Sequence, residues 1–335
     1  MPDQLPRIHV VATGGTIAMR IDAAGGGPVP AVTGQELVAA VPGLRKVGQI
    51  IVEEFANIPS ERMRPENWLR LADQIRDLLA RRATDGIVVL HGTDTMEETA
   101  FFLDITVPTE IPIVFTGSMR AASDPRPDGP ANILDAATVA ANPDARGRGV
   151  LIVMHGEIHS ARRVTKVDTS DVDAFDSVLP PDLGTVNGGL VAFSDTWSPH
   201  VHVPLPPALP RVDIVLMYAG VDDFALRAAV ARGAAGLVIA GVGAGNVNED
   251  LFGGILDALQ AGLPVVISSR VPYGGSRPIY AYAGGGVALQ RAGAIFALDL
   301  NPQKARVLLM AGLGASYDLA QLKLLFDLAP AALPR

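Results

Sequence analysis

Gly86-Ile87-Val88-Val89-Leu90, followed at once by His91-Gly92-Thr93-Asp94-Thr95, is an aliphatic run closed by a glycine turn, with Met96-Glu97-Glu98 opening a helix-like stretch. A short β-branched run bounded in this way suits a strand buried on both faces, as in a parallel sheet. The same order recurs at residues 8–12 before Thr13-Gly14-Gly15-Thr16, at 111–116 before Gly117-Ser118, and at 149–154 before His155-Gly156. Residues 65–82, with Trp68, Leu71, Ile75, Leu78 and Leu79 on one stripe, read as a flanking helix, and 130–141 as another. Pro199, Pro204, Pro206, Pro207 and Pro210 then interrupt the pattern, because proline fits neither a helix interior nor a central strand. Beyond them, 212–218, 236–240 and 263–268 resume as strands, and 317–328 reads as a closing helix. The expected fold is α/β with two domains, each a mainly parallel sheet flanked by helices. The larger N-terminal domain spans 1–198, a proline-rich linker 199–211, and the C-terminal domain 212–335.

Composition narrows the chemistry. The chain has 335 residues, 49% of them hydrophobic and 19% charged, enough apolar surface to offset the entropy of ordering. The net charge of −8 lacks the basic footprint of a nucleic-acid or anionic-membrane binder, and no apolar run approaches the roughly 20 residues of a bilayer span. Without cysteine there is no disulfide framework, thiolate metal site or cysteine nucleophile. A small-molecule ligand follows, and the N-terminus reads as cytoplasmic, or periplasmic if a leader has been removed. Only Lys46, Lys166, Lys304 and Lys323 are lysines, and lysine, unlike arginine, can lose its proton inside a protein.

Open parallel sheets bind ligands at the carboxyl ends of their strands, so the turns above are the candidate site loops. In Thr13-Gly14-Gly15-Thr16 two glycines admit close backbone approach, and a threonine hydroxyl needs a neighbouring base before it attacks. Asp94 could cap the following helix or hold a cationic substrate group beside Thr93. Lys166, in Arg162-Arg163-Val164-Thr165-Lys166, could belong to a solvated basic face or lie desolvated beside Asp94.

Residues 12–18, Ala12-Thr13-Gly14-Gly15-Thr16-Ile17-Ala18, together with 86–98, resemble the paired motifs of the bacterial-type L-asparaginases and glutaminase-asparaginases. The likeness continues through Gly117-Ser118-Met119-Arg120, Asp128-Gly129-Pro130, Val164-Thr165-Lys166, Gly241-Val242-Gly243-Ala244-Gly245-Asn246, Ser268-Ser269-Arg270 and Asn301-Pro302-Gln303-Lys304. The resemblance implies an amidohydrolase that converts L-asparagine to L-aspartate and ammonia through a threonyl acyl-enzyme, with tolerance of L-glutamine left open. It implies Thr16 as nucleophile and Thr93, Asp94 and Lys166 as the proton relay. Ser60, Glu61 and Asp94 would hold the substrate's α-carboxylate and α-ammonium, with Gly15, Thr93, Ser118 and Asn246 completing the binding set. Backbone N–H groups of the Gly15 and Thr93 turns would serve the oxyanion. Neither cofactor nor metal is implied, and Asn246 reaching a neighbouring subunit's site implies a homotetramer.

The sequence departs from that pattern in three places. The loop after Thr16, Asp22-Ala23-Ala24-Gly25-Gly26-Gly27-Pro28-Val29, lacks the tyrosine that many members carry, although its glycines suit a lid. The glutamate that some relatives supply near Ser268-Ser269-Arg270 is absent, leaving Tyr280 or Tyr282 as candidate hydroxyls. Glu61 stands where several asparaginases have glutamine, which would tie α-ammonium binding to pH. The non-enzyme alternative is an amino-acid-binding or regulatory paralogue that retains the pocket. A zinc site at His155-Gly156-Glu157-Ile158-His159 lacks the zincin spacing, and Gly241-Val242-Gly243-Ala244-Gly245 lacks the dinucleotide-binding spacing.

Overall fold

A computed structural model describes residues 5–22, 26–178, 183–194 and 200–328. The chain divides into two compact units, Met1–Ser198 and Pro199–Arg335.

The first unit opens with β1 (Arg7–Ala12), β2 (Met19–Ile21), β3 (Pro28–Pro30), α1 (Gly34–Ala39), α2 (Leu44–Val47) and β4 (Gln49–Glu54). Then come α3 (Pro65–Ala80), β5 (Gly86–Leu90), α4 (Met96–Thr106), β6 (Ile113–Thr116), α5 (Gly129–Ala141) and β7 (Val150–Met154). Five short strands complete it: β8 (Glu157–Ser160), β9 (Val164–Lys166), β10 (Phe175–Ser177), β11 (Gly184–Asn187) and β12 (Leu190–Phe193). The main sheet runs β12-β11-β8-β7-β6-β5-β1-β4. Its β4-β1-β5-β6-β7 portion is parallel, and β8, β11 and β12 extend it in antiparallel fashion.

β5 is buried along its whole length, as its uninterrupted aliphatic run requires of a central strand covered on both faces. On one face Ile8, Val10, Val88, Leu90, Val114 and Leu151 pack with Ile133, Ala136, Ala137 and Ala140 of α5. α3 begins with proline at its first helical turn and buries Trp68, Leu71, Ala72, Ile75 and Leu78 at helical spacing. After β4 the chain crosses β1 to enter β5, so strand order reverses at β1. The crevice outside the carboxyl ends at such a reversal is where open sheets bind ligands.

The second unit comprises β13 (Val212–Leu216), α6 (Phe224–Ala231), β14 (Gly236–Gly241), α7 (Glu249–Gln260), β15 (Val265–Ser269), α8 (Gly286–Ala292), β16 (Ile295–Phe296), α9 (Pro302–Gly314) and α10 (Leu319–Asp327). Its four strands are parallel in the order β13-β14-β15-β16, and Leu237, Ile239, Val265 and Ile267 pack with Leu251, Ile255 and Leu289. The α/β expectation therefore holds for both units. Among the described residues no helix is long and apolar enough to cross a membrane.

Two features of the first unit were not anticipated. β4 is an edge strand of exposed and half-buried positions, in which Gln49, Glu53 and Glu54 flank the short run Ile50-Ile51-Val52. His155 and Gly156 both adopt positive φ, 50° and 81°, and close a two-residue hairpin in which Met154 faces Glu157.

Candidate active site

Four consecutive carboxyl ends of the parallel sheet supply the site loops. After β1, Gly14 and Gly15 take φ of 106° and 92°, values that side chains rarely adopt, and lead into a 3-10 turn, Thr16–Ala18. After β4 the chain reaches a second 3-10 turn, Ser60–Arg62, and after β5 a third, Thr93–Thr95. Gly117-Ser118 follows β6.

Backbone hydrogen bonds stitch these loops together. Thr13 N donates to Leu90 O (3.0 Å), Ile58 N to Thr13 O (3.1 Å), Gly15 N to Ile58 O (3.1 Å) and His91 N to Thr116 O (2.9 Å). The glycines have a steric reason as well as a conformational one. A Cβ on Gly15 would strike Gly92 N and Cα, and one on Gly92 would meet Ser60 Oγ at 2.7 Å and Gly15 Cα at 3.0 Å. The turns carrying Thr16 and Thr93 therefore meet backbone to backbone, and Ser60 meets Gly92 through its side chain, at spacings only glycine allows.

The two threonines of the first turn separate by environment. Thr13 is buried and its hydroxyl donates to Leu90 O (2.9 Å), so it closes the turn. Thr16 is half-buried at the start of its 3-10 turn, and no hydrogen bond engages its hydroxyl among the described residues. Within the Gly15 turn, the N–H of Gly15 itself is engaged by Ile58 O (3.1 Å).

Lys166 ends β9 and projects its ammonium onto the third turn, donating to Thr93 Oγ1 (2.9 Å) and Asp94 Oδ1 (2.6 Å). Its side chain is 18% exposed, whereas that of Asp94 is 62% exposed. Asp94 is thus the partner of Lys166 and caps neither the 3-10 turn nor α4. The main chain of Lys166 is held too: its N–H donates to Glu97 Oε2 (3.3 Å), and β9 pairs with β10 so that Lys166 lies opposite Phe175. Glu97, buried on α4, was not identified from sequence; the adjacent Glu97-Glu98 pair reads there only as acidic residues at a helix start.

Ser60 is buried at the start of its 3-10 turn, and Glu61, next in the same turn, is exposed. Ser118 is buried with its hydroxyl on Arg120 O (2.7 Å), and Asp128 braces the same loop by accepting from Met119 N (2.8 Å) and Arg120 N (2.9 Å). His91 is fully buried and pairs with Gly92 O (2.7 Å) through Nδ1; burial drives its pKa down to about 4. Neutral His91 thus backs the loop without a charge of its own.

In the loop after Thr16, β2 and β3 form an antiparallel hairpin, with Asp22 N donating to Gly27 O (2.9 Å); Ala23, Ala24 and Gly25 lie outside the described residues. Asn246 belongs to the second unit, in the tight turn after β14, where its Oδ1 accepts from Gly286 N (3.3 Å). Tyr280 and Tyr282 pair ring to ring at 5.7 Å and are exposed in that unit.

His159 is buried on β8 with Nδ1 on Ser177 Oγ (3.0 Å), His155 sits in the hairpin turn, and no group of three or more metal-type ligands forms among the described residues. The glycine turn after β14 leads to α7, which Asn248 caps and whose first turn holds Glu249 and Asp250. Two carboxylates in the first turn place negative charge where a phosphate would have to bind.

Comparison with known proteins covers both units. A family model described as "Asparaginase, N-terminal" matches residues 7–198, and one described as "Glutaminase/Asparaginase C-terminal domain" matches 211–326. The chain is 42% identical over 330 residues to a probable L-asparaginase of Deinococcus radiodurans, covering 95% of this chain and 97% of the relative. It is 39% identical to L-asparaginase 2 of Escherichia coli, covering 96% and 93%. Among solved structures, a probable cytoplasmic L-asparaginase from Campylobacter jejuni superposes with a TM-score of 0.87 at 37% identity, covering 96% of this chain and 99% of that one.

Proposed function

The chain belongs to the bacterial-type L-asparaginase family, and from that membership we propose that it hydrolyses the side-chain amide of L-asparagine through an ester on Thr16, with Thr93, Asp94 and Lys166 as the proton relay. The observation that carries the mechanism is the Lys166 ammonium bonded at once to Thr93 Oγ1 and Asp94 Oδ1, one residue from the Gly15–Gly92 contact that brings Thr16's turn alongside. A hydroxyl is a weak nucleophile and needs such a relay.

Thr16 Oγ attacks the amide carbon, and its proton passes through the relay to the amide nitrogen. The C–N bond breaks, ammonia leaves and a β-aspartyl ester remains on Thr16. Water then loses a proton through the same relay and attacks the ester, which returns the proton to Thr16 and releases L-aspartate. With Gly15 N–H itself engaged by Ile58 O, oxyanion stabilisation falls to the other N–H groups of the Gly15 and Thr93 turns. Ser60 and Glu61 hold the substrate's α-groups, and Asp94, whose Oδ1 is on Lys166, offers Oδ2 to the α-ammonium. A carboxylate at Glu61 keeps L-glutamine as a second substrate.

The proposal extends to a homotetramer, in which Asn246, its Oδ1 held by Gly286 N, presents Nδ2 to a neighbouring subunit's site. It extends also to a cytoplasmic location, supported by the cytoplasmic designation of the Campylobacter jejuni protein. Ammonia release from L-asparagine and L-glutamine by the wild type and Thr16→Ala tests the reaction. The wild type releases ammonia and the variant falls to background; equal, slow release by both with retained aspartate binding would instead indicate the binding paralogue.

A further inference from the structure

Thr95 is the N-cap residue of α4, and a threonine there ordinarily accepts a hydrogen bond from the helix's first turn. Thr33 does so in this chain: its hydroxyl accepts from Glu36 N (3.2 Å) at the start of α1. Asn248, Asn301 and Asp318 cap α7, α9 and α10 in the same manner. Thr95 makes no such bond. Its hydroxyl leaves its own helix and donates instead to Ser60 O (2.8 Å), 35 residues away in sequence.

That acceptor is the carbonyl which also receives Met63 N (2.9 Å) and so closes the Ser60–Arg62 turn. A hydroxyl carries one proton, and Thr95 commits it to this carbonyl. On one side of the bond lie Ser60 and Glu61; on the other lie Thr93 and Asp94, two residues and one residue from Thr95. Thr95 thus gives its hydroxyl proton to a contact between two loops, while α4 starts without the side-chain cap that α1, α7, α9 and α10 have.

We propose that Thr95 is a positioning residue that locks the turn holding the substrate's α-groups to the turn carrying the proton relay. The inference rests on the assignment of Ser60 and Glu61 to the substrate's α-groups. Thr95 touches neither substrate nor reacting atoms; it acts through the Ser60 carbonyl, beside which Gly92 lies against the Ser60 side chain.

The experiment measures the dissociation constant for L-aspartate, which has the α-groups and lacks the scissile amide, in Thr95→Val, Thr95→Ala, Thr95→Ser and Ser60→Ala. Loss of one neutral hydrogen bond is worth about a factor of 2–10 in an equilibrium. Thr95→Val and Thr95→Ala are expected to weaken aspartate by about that factor and raise KM for L-asparagine in parallel. Thr95→Ser, which keeps the O–H, is expected to restore both. Melting temperature should fall by no more than a few degrees, the scale of one lost hydrogen bond, and the pH profile of kcat should keep its wild-type form, because no relay bond is removed. Aspartate binding within twofold of wild type in folded Thr95→Val or Thr95→Ala, with Ser60→Ala weakened, would overturn the role of Thr95 alone. Ser60→Ala binding aspartate like the wild type would overturn the substrate-holding assignment beneath it. Thr95 variants that lose melting temperature and keep aspartate affinity would show a purely structural residue.

Discussion

Gly92→Ala isolates the backbone contact on which the site is built. Gly92 has φ −70° and ψ 144°, a conformation that alanine adopts without strain, so the substitution adds a methyl group and nothing else. That methyl would stand 2.7 Å from Ser60 Oγ, 2.8 Å from Ser60 Cβ and 3.0 Å from Gly15 Cα. Non-bonded carbon atoms rest at about 3.5–4.0 Å, so the three turns must part by roughly 0.7–1 Å. Overpacking of this kind costs about 1–3 kcal/mol of stability, and a displacement near 1 Å at a reacting centre costs about 100-fold in rate. We expect kcat/KM for L-asparagine to fall about 100-fold, while the melting temperature of the first unit drops by only a few degrees. The assay is continuous ammonia release beside a thermal melt, with Gly27→Ala as control because nothing lies within 4 Å of a Cβ there. Gly92→Ala with kcat/KM within threefold of wild type and an unchanged melt would refute the claim that Gly15–Gly92 contact sets the site.

Lys166→Met keeps much of the side chain's volume and removes both ammonium bonds; kcat should fall by about 10²–10⁴, and a kcat within tenfold of wild type would take Lys166 out of the relay. His91 titrates near pH 4 in the folded state against 6.5 unfolded, so the unfolded chain binds the extra proton between these values and stability is lost as pH falls through that window. Between pH 7 and 5 the loss from this group is about 2 kcal/mol; urea unfolding should show a shallower pH slope in His91→Gln, and an equal slope would contradict the assignment. Glu61→Gln should change the ratio of kcat/KM for L-asparagine over L-glutamine, and an unchanged ratio would remove Glu61 from substrate selection.

How much of this could be read from the sequence depends on whether a residue's partner lies nearby in the chain. The aliphatic runs at β1, β5, β6, β7 and β14 announce themselves because central parallel strands exclude polar residues from both faces. The glycine turns at their ends are legible for the same reason, and so was the pairing of Asp94 as an alternative to helix capping. β4 was missed because an edge strand tolerates mixed positions such as Gln49-Ile50-Ile51-Val52-Glu53-Glu54. The hairpin at His155-Gly156 was missed because histidine at positive φ gives no turn signal comparable to Asn-Gly. Gly15 illustrates a different limit: its need for glycine was evident, but Ile58 as the acceptor of its N–H was not, since that bond joins loops 43 residues apart. Thr95 and Glu97 were hidden likewise, the first without any reading of its own and the second as a first-turn acid, until Ser60 and Lys166 were brought beside them.

The central claim is that Thr16, activated across the Thr93–Asp94–Lys166 cluster, carries the acyl group. Acid quench during steady-state turnover of L-asparagine, followed by proteolysis and mass spectrometry, tests it directly. The account predicts a β-aspartyl ester on the peptide containing Thr16, absent from Thr16→Ala and accumulating to a different level in Lys166→Met. An ester on Thr93, or full turnover by Thr16→Ala, would contradict it.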